Sequence, residues 1–232
     1  MKHLGIIPDG AGRWAAKRNL PRVNGYYFGI EVMSDFIDAA DELGINCLSF
    51  YCSSIENIER RGEAYSLSLS SVYVDFFEKK LKKMALSRGY KICFAGDFKK
   101  LSPELMSCIS SLNALTINNR KMTVAFVFAY DGMEEVKEAF NYVFQQKLLN
   151  ADYTEATIEE VQRYMYSAAL PPLDAVIRYG GVNRLSGYLP FSAAYAELYF
   201  FDKLFPDADK GDVYEVVKKY RLTKRNFGGY RE

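Results

Sequence analysis

Apolar and polar positions change period repeatedly along the chain. Leu4-Gly5-Ile6-Ile7 is a short apolar run closed by Pro8-Asp9-Gly10, which predicts a buried strand. From Tyr26 to Leu43, Met33, Phe36, Ile37 and Ala40 recur at helical spacing, while Glu31, Asp35, Asp38, Asp41 and Glu42 take the other face. Gly44 closes that helix. Asn46 to Cys52 predicts a second strand, and a long helical pattern runs from about Glu63 to Arg88. Lys91 to Ala95 predicts a third strand, with a helix from near Ser102. Between Met122 and Tyr130, Val124, Phe126, Phe128 and Tyr130 alternate with Ala125, Val127 and Ala129, which predicts a fourth strand with an aromatic face. Helical patterns follow at about 133–148 and 155–167. Asp174 to Arg178 predicts a fifth strand, Glu197 to Phe200 a sixth, and Gly211 to Arg221 a last helix.

Strand and helix in alternation predict an α/β fold: a single domain over residues 1–232, with a mainly parallel six-stranded sheet surrounded by helices and right-handed crossovers. No apolar stretch approaches ~18 residues, so no transmembrane segment is expected. Met1 to Ile7 offers neither an h-region nor a cleavage site, so no secretory leader is expected. Cys47, Cys52, Cys93 and Cys108 show no C-x-x-C spacing and read as reduced, buried thiols, which points to a cytoplasmic protein.

Charge and composition remove several functions. Thirty Lys and Arg against 29 Asp and Glu give no global attraction for nucleic acid. The one histidine, His3, opens a strand, which argues against a two-histidine metal site and a Ser-His-Asp triad. Asp35, Asp38 and Asp41 have the spacing of an acidic metal face but read as a solvated helix face. Lys79, Lys80, Lys82 and Lys83 suit a helix C-terminus. The 18 Tyr and 16 Phe can fill a core or line an apolar cavity.

In such sheets ligands bind beyond the carboxyl ends of the strands. Pro8 to Trp14, Ser53 to Arg61 and Arg178 to Ser186 all fall there, and all are rich in Gly, Arg or hydroxyls. Backbone N–H groups of a glycine-rich turn can cradle phosphate, and arginines bind it bidentately. Asp9 would repel a bare diphosphate, and a hard cation such as Mg²⁺ between the two removes that conflict. The plainer reading is a strand-to-helix turn with surface arginines, but three Arg-bearing loops on one edge favour a phosphorylated ligand. Gly10-Ala11-Gly12-Arg13-Trp14-Ala15 also fits G-x-G-x-x-A, which keeps an NAD-dependent oxidoreductase as a competitor. Against it, the second strand ends more than ~30 residues later, too far for that βαβ unit. No Walker motif occurs.

Taken together these segments resemble the cis-prenyltransferases, the family of undecaprenyl diphosphate synthase. Its D-G-N-G-R-W opening is similar to Asp9-Gly10-Ala11-Gly12-Arg13-Trp14, and its S-x-E-N-W-x-R to Ser54-Ile55-Glu56-Asn57-Ile58-Glu59-Arg60. Its I-G-D is similar to Ala95-Gly96-Asp97, and its D-L-x-I-R-T-G-G-E-x-R-x-S to Asp174 through Ser186. A-E-L-Y-F stands at Ala196 to Phe200, and R-x-F-G-G at Arg225 to Gly229. The resemblance implies a homodimer, isoprenoid diphosphate substrates, Mg²⁺ and a hydrophobic tunnel for the growing chain. It implies that Asp9 binds the metal with help from Glu197. Gly10, Gly12, Arg13 and Arg22 would hold the allylic diphosphate, and Ala11, Trp14, Tyr26, Glu56 and Arg60 would join them as substrate-binding residues. Arg178, Arg184 and Ser186 would hold the second one. Ser54 and Asn57 would lie near the departing proton, and Arg225 and Gly228 would reach the neighbouring site.

Several motif positions differ. Ala11 replaces Asn, Pro8 replaces Met, Tyr26 stands for His, Ile58 for Trp and Val182 for Glu, and Ala129 to Met133 loses an Arg. The lavandulyl-type branch of the family, which joins two dimethylallyl diphosphates, is similar in its P-D-G opening. Phe126, Phe128 and Tyr130 on one strand face would plug the tunnel. The expected product is therefore short and irregular, with a regular long-chain product from farnesyl and isopentenyl diphosphates as the alternative. A silent partner subunit is a further reading, disfavoured because Asp9, Arg13, Arg178, Arg184 and Glu197 are all kept.

Overall fold

Short, fully buried runs form the centre of the sheet. In the computed structural model, which describes residues 1–151 and 154–224, β1 (His3–Ile7) and β2 (Cys47–Tyr51) are buried at every position, as is β5 (Ala175–Arg178). Such double-sided burial is what helices on both faces of a parallel sheet produce. β3 (Tyr90–Ala95), β4 (Met122–Val127) and β6 (Glu197–Phe200) complete a six-stranded sheet in the order β3-β4-β2-β1-β5-β6. Every pairing is parallel. Register runs Leu4 against Ala175 and Ala175 against Glu197, so β1, β5 and β6 start level. At the edge, β6 leaves Leu198 and Phe200 exposed.

Nine α-helices lie among the described residues. α1 (Ala11–Lys17) and α2 (Arg22–Glu42) follow β1. They pack closely because Gly25 has no side chain: a Cβ there would lie 2.0 Å from the Ala11 carbonyl oxygen. α3 (Ile55–Arg61) follows β2 and is started by Ser54, whose Oγ accepts the Asn57 N–H at 3.0 Å. No hydrophobic period marks so short a helix, and the sequence pattern does not predict it. The predicted helix from Glu63 to Arg88 is one rod in three parts: α4 (Glu63–Phe76), a π-helical turn (Phe77–Leu81) and α5 (Lys82–Arg88). The π turn puts Phe77 and Leu81 wholly in the core.

α6 (Pro103–Thr116) begins at a Ser102 cap and α7 (Gly132–Leu149) at an Asp131 cap. α8 (Ile158–Arg163) is shorter than predicted because the Thr157–Glu160 capping box fixes its start. α9 (Lys210–Leu222) closes the described chain. None of these helices is long and apolar enough to cross a membrane.

Two further expectations change. The fourth strand ends at Val127, not Tyr130, because Ala129 takes a left-handed φ of 45°. That breaks the alternation: Phe126 and Phe128 join the core under α4, while Tyr130 packs on the opposite side of the sheet with Tyr51 and Tyr188. The acidic face of α2 is also not simply solvated. Asp38 meets Arg88 at 2.5 Å, Asp41 meets Lys121 at 2.6 Å, and Glu42 meets Lys210 at 3.4 Å. The four cysteines are free thiols, Cys52 half-buried and the others buried.

Candidate active site

The chain leaves β1 through Pro8 into a turn that needs Gly10, whose φ is +110° and where a Cβ would lie 2.7 Å from Leu204. The turn fixes Asp9. Its N–H donates to the Ile7 carbonyl at 2.9 Å, and its carbonyl accepts the Phe205 N–H at 3.0 Å. The Asp9 carboxylate, about one third exposed, stands between two guanidinium groups: Arg13 at 3.2 Å and Arg178 at 3.0 Å. Arg13 also donates to the Gly180 carbonyl at 2.8 Å. Gly180 must be glycine there, since φ is +93° and a Cβ would lie 2.4 Å from the Arg13 guanidinium.

Arg178 ends β5 and is almost wholly buried. It donates to the Arg184 carbonyl at 2.5 Å and to Ser186 Oγ at 2.7 Å, and Arg184 Nε reaches the same Oγ at 3.3 Å. The Nε of Arg178 is buried without a partner. A buried guanidinium with an unused N–H is costly unless an anion or water completes it.

These groups line one cavity of about 420 Å³. Its walls carry five arginines (13, 22, 61, 178 and 184) against two acids, Asp9 and Glu56. The balance favours an anion of more than one negative charge. Further in, Ile30, Met33, Leu69 and Tyr73 make the wall apolar. Behind Tyr73, rings close up: Phe128 lies 4.8 Å away, and Phe77 stacks edge-on to Phe126 at 4.9 Å. The cavity is thus a charged mouth on a short greasy pocket, near the small end of the ~300–1,000 Å³ typical of small-ligand sites.

Tyr51 joins two of the loops. Its phenol lies within 3.0 Å of the Tyr130 carbonyl and 3.2 Å of the Ser186 carbonyl, and its ring stacks on Tyr188 at 5.0 Å. Burial pushes that phenol well above its ordinary range, so it stays a neutral donor.

Of the residues singled out from the sequence, Asp9, Gly10, Ala11, Gly12, Arg13, Arg22, Tyr26, Ser54, Glu56, Asn57, Arg178, Arg184 and Ser186 share this cavity. Three do not. Trp14 points into the core, where it packs 4.6 Å from Phe28 and donates to Asp207 at 2.6 Å. Arg60 is mostly exposed and is tied to Glu56 at 3.1 Å. Glu197 opens β6 level with Leu4, so within the chain it sits about 10 Å back from the strand ends where Asp9 lies. Within one chain the register therefore does not bring it beside Asp9. Arg225 and Gly228 lie outside the described residues. Arg61, Tyr51, Tyr65 and Tyr73 line the cavity without having been singled out. Helical phase from the Ser54 cap is the signal that would have found Arg61.

Among the described residues no cluster of three or more His, Cys, Asp or Glu could hold a metal. One carboxylate beside a phosphate site still fits Mg²⁺, which takes one or two carboxylates and completes its shell with substrate phosphates and water. Dinucleotide geometry fits less well, since both α1 and α2 intervene between β1 and β2.

Residues 7–228 match the model of the undecaprenyl diphosphate synthase family of prenyltransferases. An isoprenyl transferase of Streptococcus mutans is 36% identical over 233 residues, covering 98% of this chain and 92% of that protein. One from Leptospira interrogans is 34% identical over 230 residues, covering 98% and 95%. Among solved structures, lavandulyl diphosphate synthase from Lavandula x intermedia, in complex with dimethylallyl diphosphate, superposes with a TM-score of 0.92 at 27% identity, covering 98% of both chains. A probable undecaprenyl diphosphate synthase from Campylobacter jejuni gives 0.79 at 21% identity, again with 98% of both chains covered.

Proposed function

The chain belongs to the undecaprenyl diphosphate synthase family of prenyl-transferring enzymes, and from that premise we propose that it condenses two short isoprenoid diphosphates. The observation that carries this is the excess of guanidinium groups around Asp9 at the mouth of a short apolar pocket. One diphosphate lies against the Gly10–Arg13 turn and Arg22. The other lies against Arg178, Arg184 and Ser186, where the unpartnered Arg178 Nε gains an acceptor.

The chemistry follows from those placements. Breaking the allylic C–O bond leaves pyrophosphate, whose growing negative charge the arginines and the turn N–H groups stabilise. Mg²⁺ held by Asp9 and the phosphate oxygens would add charge neutralisation to that leaving group. The allylic carbon then bonds to the second substrate's double bond, and a proton leaves the new cation. Ile30, Met33, Leu69 and Tyr73 keep water from the cation. Ser54 and Asn57 stand on the wall beside it, in the part that the resemblance gives to proton removal.

The filled space behind Tyr73 and the likeness to a lavandulyl-forming fold support a short product, made from dimethylallyl diphosphate with itself or with isopentenyl diphosphate. The regular long-chain reading has its own support in the relatives named isoprenyl transferase. Mass spectrometry of three Mg²⁺ incubations tests the choice: dimethylallyl diphosphate alone, with isopentenyl diphosphate, and farnesyl with isopentenyl diphosphate. Short products from the first two support this proposal. Polymer from the third, with little from the others, overturns the short-product reading. The proposal includes a cytoplasmic homodimer, supported by the free thiols and by exposed Leu198 and Phe200 on edge strand β6. Sedimentation of the pure chain as a monomer would remove the dimer.

A further inference from the structure

Resting on that reading, we propose that Tyr51 is a positioning residue for the second diphosphate, acting through Ser186. Ser186 takes a left-handed φ of 52°, a conformation that residues with a side chain seldom adopt, and Gly187 follows at 79°. In that turn Ser186 Oγ meets both arginines: Arg178 donates to it at 2.7 Å and Arg184 Nε at 3.3 Å. Two arginine donors use both of its lone pairs, so its own proton is left for a phosphate oxygen. The turn is held by its carbonyls. That of Gly187 accepts the Gly132 N–H at 3.1 Å, and that of Ser186 accepts the Tyr51 phenol at 3.2 Å.

Tyr51 is itself fixed from behind. Its phenol shares its proton with the Tyr130 carbonyl at 3.0 Å, which ties the turn after β5 to the chain leaving β4. Its ring stacks on Tyr188 at 5.0 Å and 26°, and Tyr188 is wholly buried. Gly5 on β1 makes room for that second ring, since a Cβ there would lie 2.8 Å from it. A directed chain of hydrogen bonds anchors Tyr188. His3 Nδ1 lies 2.7 Å from the Pro171 carbonyl, which can only accept, so in the neutral imidazole Nδ1 carries the proton and Nε2 accepts. Ser49 Oγ therefore donates to Nε2 at 2.5 Å and accepts the Tyr188 phenol at 2.6 Å. This support ends at Tyr51, the member of the stack that lines the cavity. A braced ring on one side and a left-handed turn on the other make its hydroxyl the link from the core to the diphosphate pocket.

Isopentenyl diphosphate, which has no allylic C–O bond to break, is the calorimetric probe, with melting temperature as the check on folding. Tyr51→Phe keeps the ring stack and removes the hydroxyl. It is expected to weaken binding about five-fold, the worth of one hydrogen bond, but less than about two-fold when Ser186→Ala is already present. Tyr188→Phe removes another buried hydroxyl that does not reach Ser186, so it should lower the melting temperature and leave affinity within about two-fold. An unchanged Tyr51→Phe, equal losses of affinity in the two tyrosine variants, or a Tyr51→Phe loss that persists beside Ser186→Ala overturns the assignment. Should Tyr51→Phe fail to fold, 3-fluorotyrosine placed at position 51 keeps the hydroxyl. Its fluorine resonance is expected to move when isopentenyl diphosphate saturates the protein, and to move less far in Ser186→Ala; equal movement in both overturns the assignment. Wild-type protein that binds no isopentenyl diphosphate would instead overturn the function on which it rests.

Discussion

The two ends of the sheet carry similar charges and use them differently. At the amino end, Asp38, Asp41 and Glu42 on α2 each have a cation: Arg88, Lys121 and Lys210. At the carboxyl end, Asp9 is shared by Arg13 and Arg178, and Arg22, Arg61 and Arg184 add guanidinium charge with only Glu56 to set against it. A network neutralised pair by pair has nothing left for a ligand. A cluster with cations in excess, one of them buried with an unused N–H, keeps charge and donors available for an anion. Charge density at either end would not separate structure from function, but charge balance does.

The largest expected effect is at the carboxyl end. Asp9→Asn should lower kcat by about a thousand-fold, the scale seen when a group organising transition-state charge is removed, with little change in melting temperature. Next comes stability governed from β1. His3 is buried among Ser49, at 2.5 Å, and the Pro171 carbonyl, at 2.7 Å. Burial pushes its imidazole down to about 4 from 6.5. The unfolded chain therefore binds the extra proton between those values. The contribution is complete above pH 6.5 and is lost as pH falls toward 4, by roughly 3 kcal/mol. Urea unfolding at pH 7 and pH 4 should show that slope in the wild type and a flatter one in His3→Gln, with kcat at pH 7 kept by both.

A smaller change is expected from Arg178→Lys, which keeps charge but loses the fork that reaches Asp9, the Arg184 carbonyl and Ser186. KM for the second substrate should rise about ten- to thirty-fold in steady-state assays. The smallest is Asp41→Asn at the amino end. Unfolding should show a loss of about 0.5–1 kcal/mol, and kcat should not move. If Asp41→Asn impaired turnover as Asp9→Asn does, the contrast between the two ends would be gone.

Much of this was legible in the sequence. The buried strands read as mostly apolar runs without polar alternation because both faces are covered. The loops that follow β1 and β5 announced their glycines and arginines, and Gly10 and Gly180 do hold left-handed positions beside Asp9. What escaped had physical reasons. α3 is too short to show a period, so the sequence pattern does not announce that Arg61 lines the cavity. One residue, Ala129, turns the chain over and takes Tyr130 away from Phe126 and Phe128. The resemblance pairs Glu197 with Asp9, and within one chain strand register sets them apart by the length of β6. Trp14 sat inside a ligand motif, yet its indole is needed to pack α1 on Phe28 and Asp207.

The central claim is that Asp9 and the surrounding arginines hold the diphosphates of two reacting prenyl groups. A crystal structure of the wild-type chain with dimethylallyl diphosphate and Mg²⁺ tests it most directly. The account predicts one diphosphate on the Gly10–Arg13 turn and another accepting from Arg178 Nε, with both hydrocarbon tails pointing toward Tyr73. Diphosphate bound elsewhere, with Arg178 still closed on Asp9 and its Nε unpartnered, would contradict it.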